Sequence, residues 1–339
     1  MNLRPFAAAA GFAALSLTVL GQTPPANSPA AGTRVSAVKS KAYVPPKTPW
    51  GEPDLQGNWP AQFNIPRERP QNVKEALLSD QQVAETEQQR EQQFQSRQDL
   101  NRGVTIGPPS NFSEIGKVNK QTSQVVDPPD GRIPPLTPQA RAVLQAENGG
   151  HGAGQHFPDR VDSWTDFDFY SRCITRGFPN TMLYTLYDYG NQIVQAPGYV
   201  VIRSEMVHET RIIPTDGRPH TGSAIKTYMG NSVGHWEGNT LVVETVNIRP
   251  ESASGARYTG AAKVIERFTR TAPDELLWEA TINDPNVWTR PFTLRYPYKL
   301  DPEYKVYEYA CHEGNYMMLD ALQGARDLEA QGRDAKVSR

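Results

Sequence analysis

The fold is decided by residues 263–300, which read KVIERFTRTAPDELLWEATINDPNVWTRPFTLRYPYKL. Apolar and polar residues alternate over Lys263–Arg270, Glu275–Ile282 and Phe292–Leu300, and this period of two predicts three β-strands. Ala272-Pro273-Asp274 marks a tight turn, and so short a connection requires antiparallel neighbours. The residues expected on the buried face are Leu276, Trp278, Ala280, Ile282, Phe292, Leu294, Tyr296, Tyr298 and Leu300.

The same alternation extends upstream and downstream and predicts eight strands in all. The five further strands are Asn191–Ala196, Tyr199–Ile213, about Lys226–Trp236, Thr240–Ile248 and Tyr304–Cys311. An antiparallel meander of this length can remove its exposed edges by closing on itself. We therefore expect a mainly β fold that is either barrel-like, of the lipocalin or calycin kind, or a strongly curved sheet.

Composition excludes several classes of protein. The 339 residues carry 35 basic and 37 acidic side chains, a formal net charge of -2, so nothing favours nucleic-acid binding. Two cysteines are too few for a disulfide-rich miniprotein or a four-cysteine metal site. The sequence contains no HExxH motif and no paired CxxC motifs, and we expect neither a metal nor a cofactor.

The N-terminal residues predict export. Arg4 precedes a short apolar run over residues 7–20, and the small residue Gly21 fits signal-peptide cleavage after residues 1–21. The run is too short for a transmembrane helix, so we expect no membrane span and a periplasmic or secreted protein. An N-terminal core helix is the alternative. Residues 22–47, rich in Pro, Ala, Ser and Lys, predict a disordered linker.

The rest of the chain divides into an arm and a β domain. Residues 48–165 are predicted to form an N-terminal arm with a surface helix at about 79–98, for which a disordered Gln- and Glu-rich segment is the alternative. Ser79 is the expected N-cap of that helix. The β domain is predicted over residues 166–331 and ends in a helix over residues 316–330.

Two polar side chains are predicted on the apolar face of the long strand Tyr199–Ile213. Alternation places Ser204 and His208 on that face, and it places Arg211 on the opposite one. An interior lined by aromatic residues with a few polar groups is either a packed core or a ligand cavity. The candidate ligand-binding residues are His208, Ser204, Arg211, His220, Tyr296 and Trp278.

Arginines are a second source of candidate binding residues. Arg172, Arg176, Arg203, Arg211 and Arg218 are spaced over the first predicted strands and the segment before them. Guanidinium groups bind carboxylates and phosphates through two parallel hydrogen bonds, so these residues could hold an anionic ligand. The alternative is a solvated, charged face of the sheet.

The two cysteines, Cys173 and Cys311, lie just before the first predicted strand of the β domain and at the end of the last one. A barrel brings its first and last strands together, and an exported protein can keep a disulfide. We therefore name them as a candidate disulfide. The alternatives are two buried thiols or a reactive Cys311 beside His312.

Six motifs together resemble a family of exported bacterial proteins of uncharacterised function. They are PDLQGNW (53–59), VVDPPDGRIPPLTP (125–138), RCITRG (172–177), DGRPH (216–220), GHWEGNTLVVET (234–245) and YEYACHEGNY (307–316). These motifs span nearly the whole chain after the predicted signal peptide. The resemblance implies export and one integrated architecture, and it implies no activity and no catalytic residues.

Three functions are consistent with these patterns. The leading hypothesis is binding of a small organic ligand in the mouth of the barrel, near His208 and Tyr296. The second is a periplasmic or secreted hydrolase, lyase or isomerase in which His208 is the acid or base, with Glu205, Glu237 or an arginine as its partner. For His208, the alternative is a buried histidine paired with Ser204 or a backbone carbonyl. The third is an interaction or structural protein of the cell envelope.

Overall fold

The structure of the chain, a computed structural model, describes residues 43–100, 116–147, 161–250 and 258–333. The predicted signal peptide lies outside the described residues, and so does the predicted linker except for residues 43–47. Residues 43–47 are held in place, because the backbone N–H of Asp54 donates to Pro46 O at 2.8 Å. Within the described ranges the fold is mainly β, with antiparallel sheets and three helices.

The described strands form two antiparallel sheets. Their bounds are β1 Gly57–Asn58, β2 Val125–Asp127, β3 Asn191–Ala196, β4 Tyr199–Ser204, β5 Thr210–Pro214, β6 Asn231–Glu237, β7 Thr240–Val246, β8 Lys263–Ala272, β9 Glu275–Asn283 and β10 Phe292–Lys299. The smaller sheet has the order β1-β3-β4-β5, and the larger sheet has the order β2-β10-β9-β8-β7-β6. Among the described strands, no pairing joins the two edges of either sheet. The structure therefore has two open sheets, whereas a closed barrel was one of the two predicted forms.

The long strand predicted over Tyr199–Ile213 is broken. The strand β4 ends at Ser204, and the chain reverses before β5 begins and pairs antiparallel with β4. Val207, within the reversal, has φ 58° and ψ 12°, a left-handed conformation that is rare for a β-branched residue. The prediction of one continuous strand was wrong because this reversal contains no glycine or proline to mark it.

The reversal changes which residues are buried. Even-numbered residues of β4 point into the core, but in β5 the buried residues are Arg211 and Ile213, while Ile212 is 63% exposed. His208 lies in the reversal and is exposed. The predicted placement of His208 on the apolar face was therefore wrong, and so was the placement of Arg211 on the solvent face.

One hydrophobic cluster joins residues of both sheets. The residues predicted on the inward faces of β9 and β10 are buried from Leu276 through Tyr298, and Leu300 packs against the cluster from its edge. The polar tips of the buried tyrosines have partners, since Tyr296 Oη donates to Phe63 O at 2.7 Å and Tyr298 Oη donates to Met182 O. The aromatic interior is thus a packed core at these positions, which was one of the two alternatives.

The predicted surface helix is present. The helix α1 spans Asp80–Leu100, and Ser79 caps it, because Gln82 N donates to Ser79 Oγ at 3.2 Å and Ser79 N donates to Gln82 Oε1 at 2.8 Å. This reciprocal pair is a capping box. The helix is exposed along most of its described side chains.

Two further helices follow, α2 over Pro138–Glu147 and α3 over Tyr316–Ala330. Asn315 precedes α3 without capping it, and its Nδ2 instead donates to Ser171 O at 2.8 Å. Of the helices in the described ranges, none has the length and apolar character needed to cross a membrane.

The predicted last strand, Tyr304–Cys311, is irregular. Hydrogen bonds to the side chain of Glu205, rather than to a neighbouring strand, hold this segment in place.

A buried ion pair connects the two sheets. Arg211 of β5 and Glu266 of β8 have side chains that are 3% and 0% exposed, and Arg211 Nη1 donates to Glu266 Oε1 at 3.0 Å, while Nη2 donates to Oε2. Arg211 Nη2 also donates to Ser232 Oγ at 3.1 Å and to Thr245 Oγ1 at 3.2 Å. Trp278 Nε1 donates to Glu266 Oε1 at 3.0 Å. Each charge is therefore neutralised and hydrogen-bonded, as a buried charge requires.

We expect Arg211→Met to lower the free energy of unfolding by about 3–5 kcal/mol, because it leaves the Glu266 carboxylate buried without its partner. The double variant Arg211→Met/Glu266→Gln should lose less than the sum of the two single variants. Urea unfolding of the wild type, Arg211→Met, Glu266→Gln and the double variant measures the coupling energy between the two residues. Arg218→Met, at an exposed arginine, is the control and should leave stability almost unchanged. Additive losses would contradict the prediction.

Candidate functional site

A group of charged and aromatic side chains lies at the end of the smaller sheet where β3 begins, β4 ends and β5 begins. Three parts of the chain meet there: the segment 167–190, the reversal 205–209 and the irregular segment 301–315, which we call the C-terminal strap. We call Arg67, Arg176 and Glu209 the arginine site, and Tyr170, Tyr187 and Tyr309 the tyrosine cluster. All six side chains are half-buried, so they are enclosed by protein but still reach solvent.

The two arginines of the site are oriented by neutral acceptors. Arg67 Nη2 donates to Asn180 Oδ1 at 2.7 Å, and Arg176 Nη1 donates to Leu183 O at 3.2 Å. Burial lowers the pKa of both guanidinium groups, and the positive charge of Arg176 lowers the pKa of Arg67 further. Among the described residues, no carboxylate forms an ion pair with either arginine. The two like charges therefore act on each other, and neither forms a salt bridge with a carboxylate of the described residues.

Glu209 is a carboxylate that acts electrostatically on Arg176, but its hydrogen bonds come from neutral donors. Thr175 Oγ1 donates to Glu209 Oε1, and the backbone N–H of Arg176 donates to Glu209 Oε2 at 3.2 Å. Burial raises the pKa of Glu209, while these hydrogen bonds and the charge of Arg176 act against the increase. The carboxyl group of Glu209 therefore takes up a proton at a higher pH than an ordinary glutamate does.

The tyrosine cluster lies beside Arg176. Tyr170 Oη and Tyr187 Oη are 3.3 Å apart, and the rings of Tyr187 and Tyr309 are nearly parallel, with an interplanar angle of 10° and centroids 6.4 Å apart. Burial raises the pKa of Tyr170, and it raises the pKa of Tyr309 to about 12. Arg176 interacts electrostatically with all three phenol groups. The hydroxyl groups of Tyr170 and Tyr309 thus stay protonated at neutral pH.

The C-terminal strap brings Tyr309 to the cluster and is fastened at two points. A disulfide joins Cys173 to Cys311, with a Cα–Cα distance of 5.8 Å, which confirms the predicted bond. The buried carboxylate of Glu205 accepts from Tyr304 Oη at 2.5 Å and from the backbone N–H of Tyr307 at 2.7 Å. Both fastenings flank Tyr309 along the chain, so they fix its position.

Backbone strain concentrates around the same place. Of the five non-glycine residues with positive φ in the described ranges, four belong to segments that form the site, and they are Cys173 (58°), Asp188 (50°), Val207 (58°) and His208 (41°). Such conformations persist only where the surrounding structure holds them, and they cluster at functional sites. The strain therefore supports this region as the functional site independently of its charges.

The candidate residues from sequence are not brought together. Ser204 is buried and donates to Asn191 Oδ1 at 2.9 Å, while Arg211 and Trp278 belong to the ion-pair network and Tyr296 belongs to the core. His208 is exposed next to Glu209, and its backbone N–H donates to Glu205 O at 2.9 Å. Of the five arginines named as a candidate clamp, Arg176 lies in the site.

Histidines elsewhere make ordinary polar contacts. His220 Nδ1 is 2.8 Å from Asn231 Oδ1, and its Nε2 is 3.2 Å from Glu244 Oε1, on the larger sheet. His235 Nε2 is 3.3 Å from Glu237 Oε1, because β6 continues through both residues. In the described part of the chain, no three His, Cys, Asp or Glu side chains are grouped closely enough to hold a metal ion.

Sequence reasoning missed most of this site. It did not name Arg67, Glu209 or the three tyrosines of the cluster as binding residues. One usable signal is the density of tyrosine over residues 170–189 next to the RCITRG motif, where Tyr170, Tyr184, Tyr187 and Tyr189 occur. Half-buried phenols beside arginines are typical of ligand sites, which combine aromatic walls with a few polar groups.

Comparison with known proteins does not identify a function. No protein family model matches the sequence, and no curated protein matches it significantly. The resemblance to a family of exported bacterial proteins therefore stays a prediction, and the function has to be argued from the geometry of the site.

We expect the double variant Cys173→Ala/Cys311→Ala to lose about 2–5 kcal/mol of unfolding free energy, because the disulfide closes a loop with a sequence separation of 138 residues. Urea unfolding of the variant and of the oxidised wild type measures the loss. Wild type treated with a reductant should unfold at the same urea concentration as the variant. A variant as stable as the oxidised protein would contradict the prediction.

Proposed function

We propose that this chain is an exported protein that binds a small organic anion at Arg67 and Arg176. The observation that carries the proposal is the pair of half-buried guanidinium groups that act on each other electrostatically and whose hydrogen-bond acceptors are neutral. Positive charges in a partly buried site are unfavourable unless an opposite charge compensates them. Glu68 and Glu209 act on these charges without forming an ion pair, and a carboxylate or phosphate bound between the two arginines supplies a direct partner.

The arginines are well oriented for such a ligand. Their acceptors, Asn180 Oδ1 and Leu183 O, belong to one short turn in which Leu183 N donates to Asn180 O at 3.0 Å. A guanidinium group that is already held in place loses less side-chain entropy when a ligand binds. Arginine also presents donors in a planar fork that matches the oxygens of a carboxylate.

The site lies at the end of the smaller sheet, in a different place from the barrel mouth that alternation suggested. Tyr296 is buried in the core, whereas the arginine site and the tyrosine cluster reach solvent. Export is supported by the predicted signal peptide over residues 1–21 and by the Cys173–Cys311 disulfide, since disulfides persist in oxidising compartments. The periplasm or the extracellular medium is therefore the proposed location.

An enzyme built on the same site is the second candidate, and Glu209 favours it. This carboxyl group has a raised pKa next to a cationic side chain, which is a common property of catalytic acids and bases. In that reading Glu209, rather than the exposed His208, is the acid or base. A ligand recovered unchanged after long incubation supports binding, and a chemically altered ligand supports catalysis.

We expect isothermal titration calorimetry to detect saturable binding of at least one of three anions: glucuronate, cyclohexanecarboxylate and inorganic phosphate. Arg176→Met and Arg67→Met should each weaken it by about tenfold or more, because each variant removes charge-assisted hydrogen bonds. Arg218→Met removes an exposed arginine elsewhere and is the matched control. The proposal fails if none of the three anions binds, or if Arg176→Met binds as well as Arg218→Met.

We expect anion affinity to rise as the pH falls through the raised pKa of Glu209, measured from about pH 8 to about pH 5 with a carboxylate ligand that stays ionised over this range. Glu209 takes up a proton at a higher pH than an ordinary glutamate, and the loss of its negative charge strengthens the attraction between Arg176 and an anion. Affinity should therefore be lost as the pH rises through the pKa of Glu209.

Two variants check the assignment of this pH dependence. Glu209→Gln should bind with high affinity at both ends of the range and show a flattened profile. His208→Asn separates any contribution of the neighbouring imidazole and should keep the wild-type profile. An unchanged profile in Glu209→Gln would show that another group is responsible.

A further inference from the structure

We propose that His220 is a pH-dependent latch for the loop between β5 and β6, which runs from Thr215 to Gly230. The protonated imidazole holds this loop against the larger sheet, and the loop is released as the pH rises and the imidazole loses its proton. The inference rests on side chains of the loop and of the larger sheet, so it is independent of the anion site proposed above.

The side chain of His220 has a hydrogen-bond partner at each ring nitrogen. Its Nδ1 is 2.8 Å from Asn231 Oδ1 on β6, and its Nε2 is 3.2 Å from Glu244 Oε1 on β7. The backbone N–H of Thr221 donates to the same atom of Asn231 at 3.0 Å, which identifies this atom as the amide oxygen. Nδ1 must therefore carry a proton and donate it to Asn231.

The contact with Glu244 requires a second proton on the imidazole. An ionised carboxylate only accepts hydrogen bonds, so Nε2 must also donate, and an imidazole that donates from both nitrogens is positively charged. Lys263 of β8 donates to the other oxygen of Glu244 at 2.9 Å, and this hydrogen bond lowers the pKa of the Glu244 carboxyl group. Glu244 therefore stays ionised, and the proton that the contact needs resides on His220.

The charged groups around the latch make the docked loop sensitive to pH. Glu244 faces His220 from β7, and Lys263 of β8 lies beyond that carboxylate, while β6 contributes a neutral amide. On the loop itself, Asp216 and Arg218 bind each other. Loss of the imidazole proton places the lone pair of Nε2 against a carboxylate oxygen, which replaces an attraction with a repulsion. Docking and protonation are therefore linked, and docking weakens as the pH rises through the range in which histidines titrate.

His220 is the side chain that attaches the middle of the loop. Residues 216–219 and 221–227 are exposed, whereas the side chain of His220 is 21% exposed. Gly217 and Gly222 lie on either side of it, and a Cβ at either position would meet no atom of the described residues within 4 Å. The loop therefore has space to move once the imidazole is released.

Neutral hydrogen bonds hold the far end of the loop. Asn247 Nδ2 donates to Thr221 O at 3.0 Å. The backbone N–H of Thr227 donates to Asn247 O at 3.2 Å, and that of Arg249 donates to Thr227 O at 2.9 Å. These bonds contain no titrating group, so a change of pH does not break them directly. Loss of the latch should therefore increase local opening over residues 216–226 without unfolding the sheet.

Hydrogen exchange detected by mass spectrometry tests the latch in the oxidised protein. Deuterium uptake is measured at pH 5 and pH 8 in peptides that cover residues 216–226, with labelling times scaled to the intrinsic exchange rate at each pH. After this scaling, we expect uptake in the wild type to be about fivefold faster at pH 8, because the neutral imidazole favours the open loop. Peptides from β8 and β9 are the internal reference and should show no difference.

Three variants separate the charge of His220 from its place in the fold. His220→Asn keeps a donor for Asn231 but removes Nε2, so uptake should be fast at both pH values. Glu244→Gln supplies an amide that can donate to the unprotonated Nε2, so uptake should be slow at both. His235→Asn is the matched control and should keep the wild-type pH dependence. His235 Nε2 also lies 3.3 Å from a carboxylate oxygen, that of Glu237, but its side chain is 63% exposed and lies outside the loop.

The outcomes decide the role of each group. Equal scaled uptake at the two pH values in the wild type overturns the latch, and so does a pH dependence that survives in His220→Asn. If Glu244→Gln opens at pH 8 as the wild type does, the carboxylate is not the partner that makes docking depend on pH. Circular dichroism confirms that each variant is folded. Calorimetry with anions is a separate experiment, so the latch and the anion site can fail independently.

Discussion

The salt bridge between Arg211 and Glu266 fixes the two sheets relative to each other, because neither charge is tolerated in the core without the other. Arg211 also contacts a residue next to the candidate site. The guanidinium group of Arg211 lies 4.5 Å from the ring centroid of Phe178, just before the turn that orients Arg67 and Arg176. Glu209 precedes Arg211 by two residues, so the position of β5 also sets the position of this carboxylate. The arginine site therefore depends on a contact made in the core.

Sequence patterns predicted the strands well where each strand has one buried face and its turns carry glycine or proline. The inward residues of β9 and β10 are the clearest cases. The pattern failed at the reversal 205–209, which has no such marker and shifts the buried positions by one residue. Glu266 lies on the buried face of β8 between Val264 and Phe268. A carboxylate at such a position indicates a buried positive partner, which the structure shows to be Arg211. Two short strands, β1 and β2, were too brief for any periodicity to show.

The site was largely beyond sequence reasoning because its parts come from distant regions of the chain. Arg67 lies in the predicted arm, Glu209 in an unmarked reversal and Tyr309 in a segment read as a strand. No spacing rule links such positions, and only the folded sheets and their connections bring them together. The disulfide was accessible to prediction for the opposite reason, since a chain with two cysteines and a predicted signal peptide has one intramolecular pairing to consider.

The fastening of the C-terminal strap has a consequence for the order of events in biosynthesis. The site draws residues from position 67 to position 309, so ribosomes must synthesise nearly all of the β domain before the site can be complete. The second of the two contacts that fix Tyr309 forms only after an external oxidant has joined Cys311 to Cys173, 138 residues earlier. A reduced chain thus lacks one of the two contacts that fix the position of Tyr309, so the geometry of the tyrosine cluster depends on the redox state of the two cysteines.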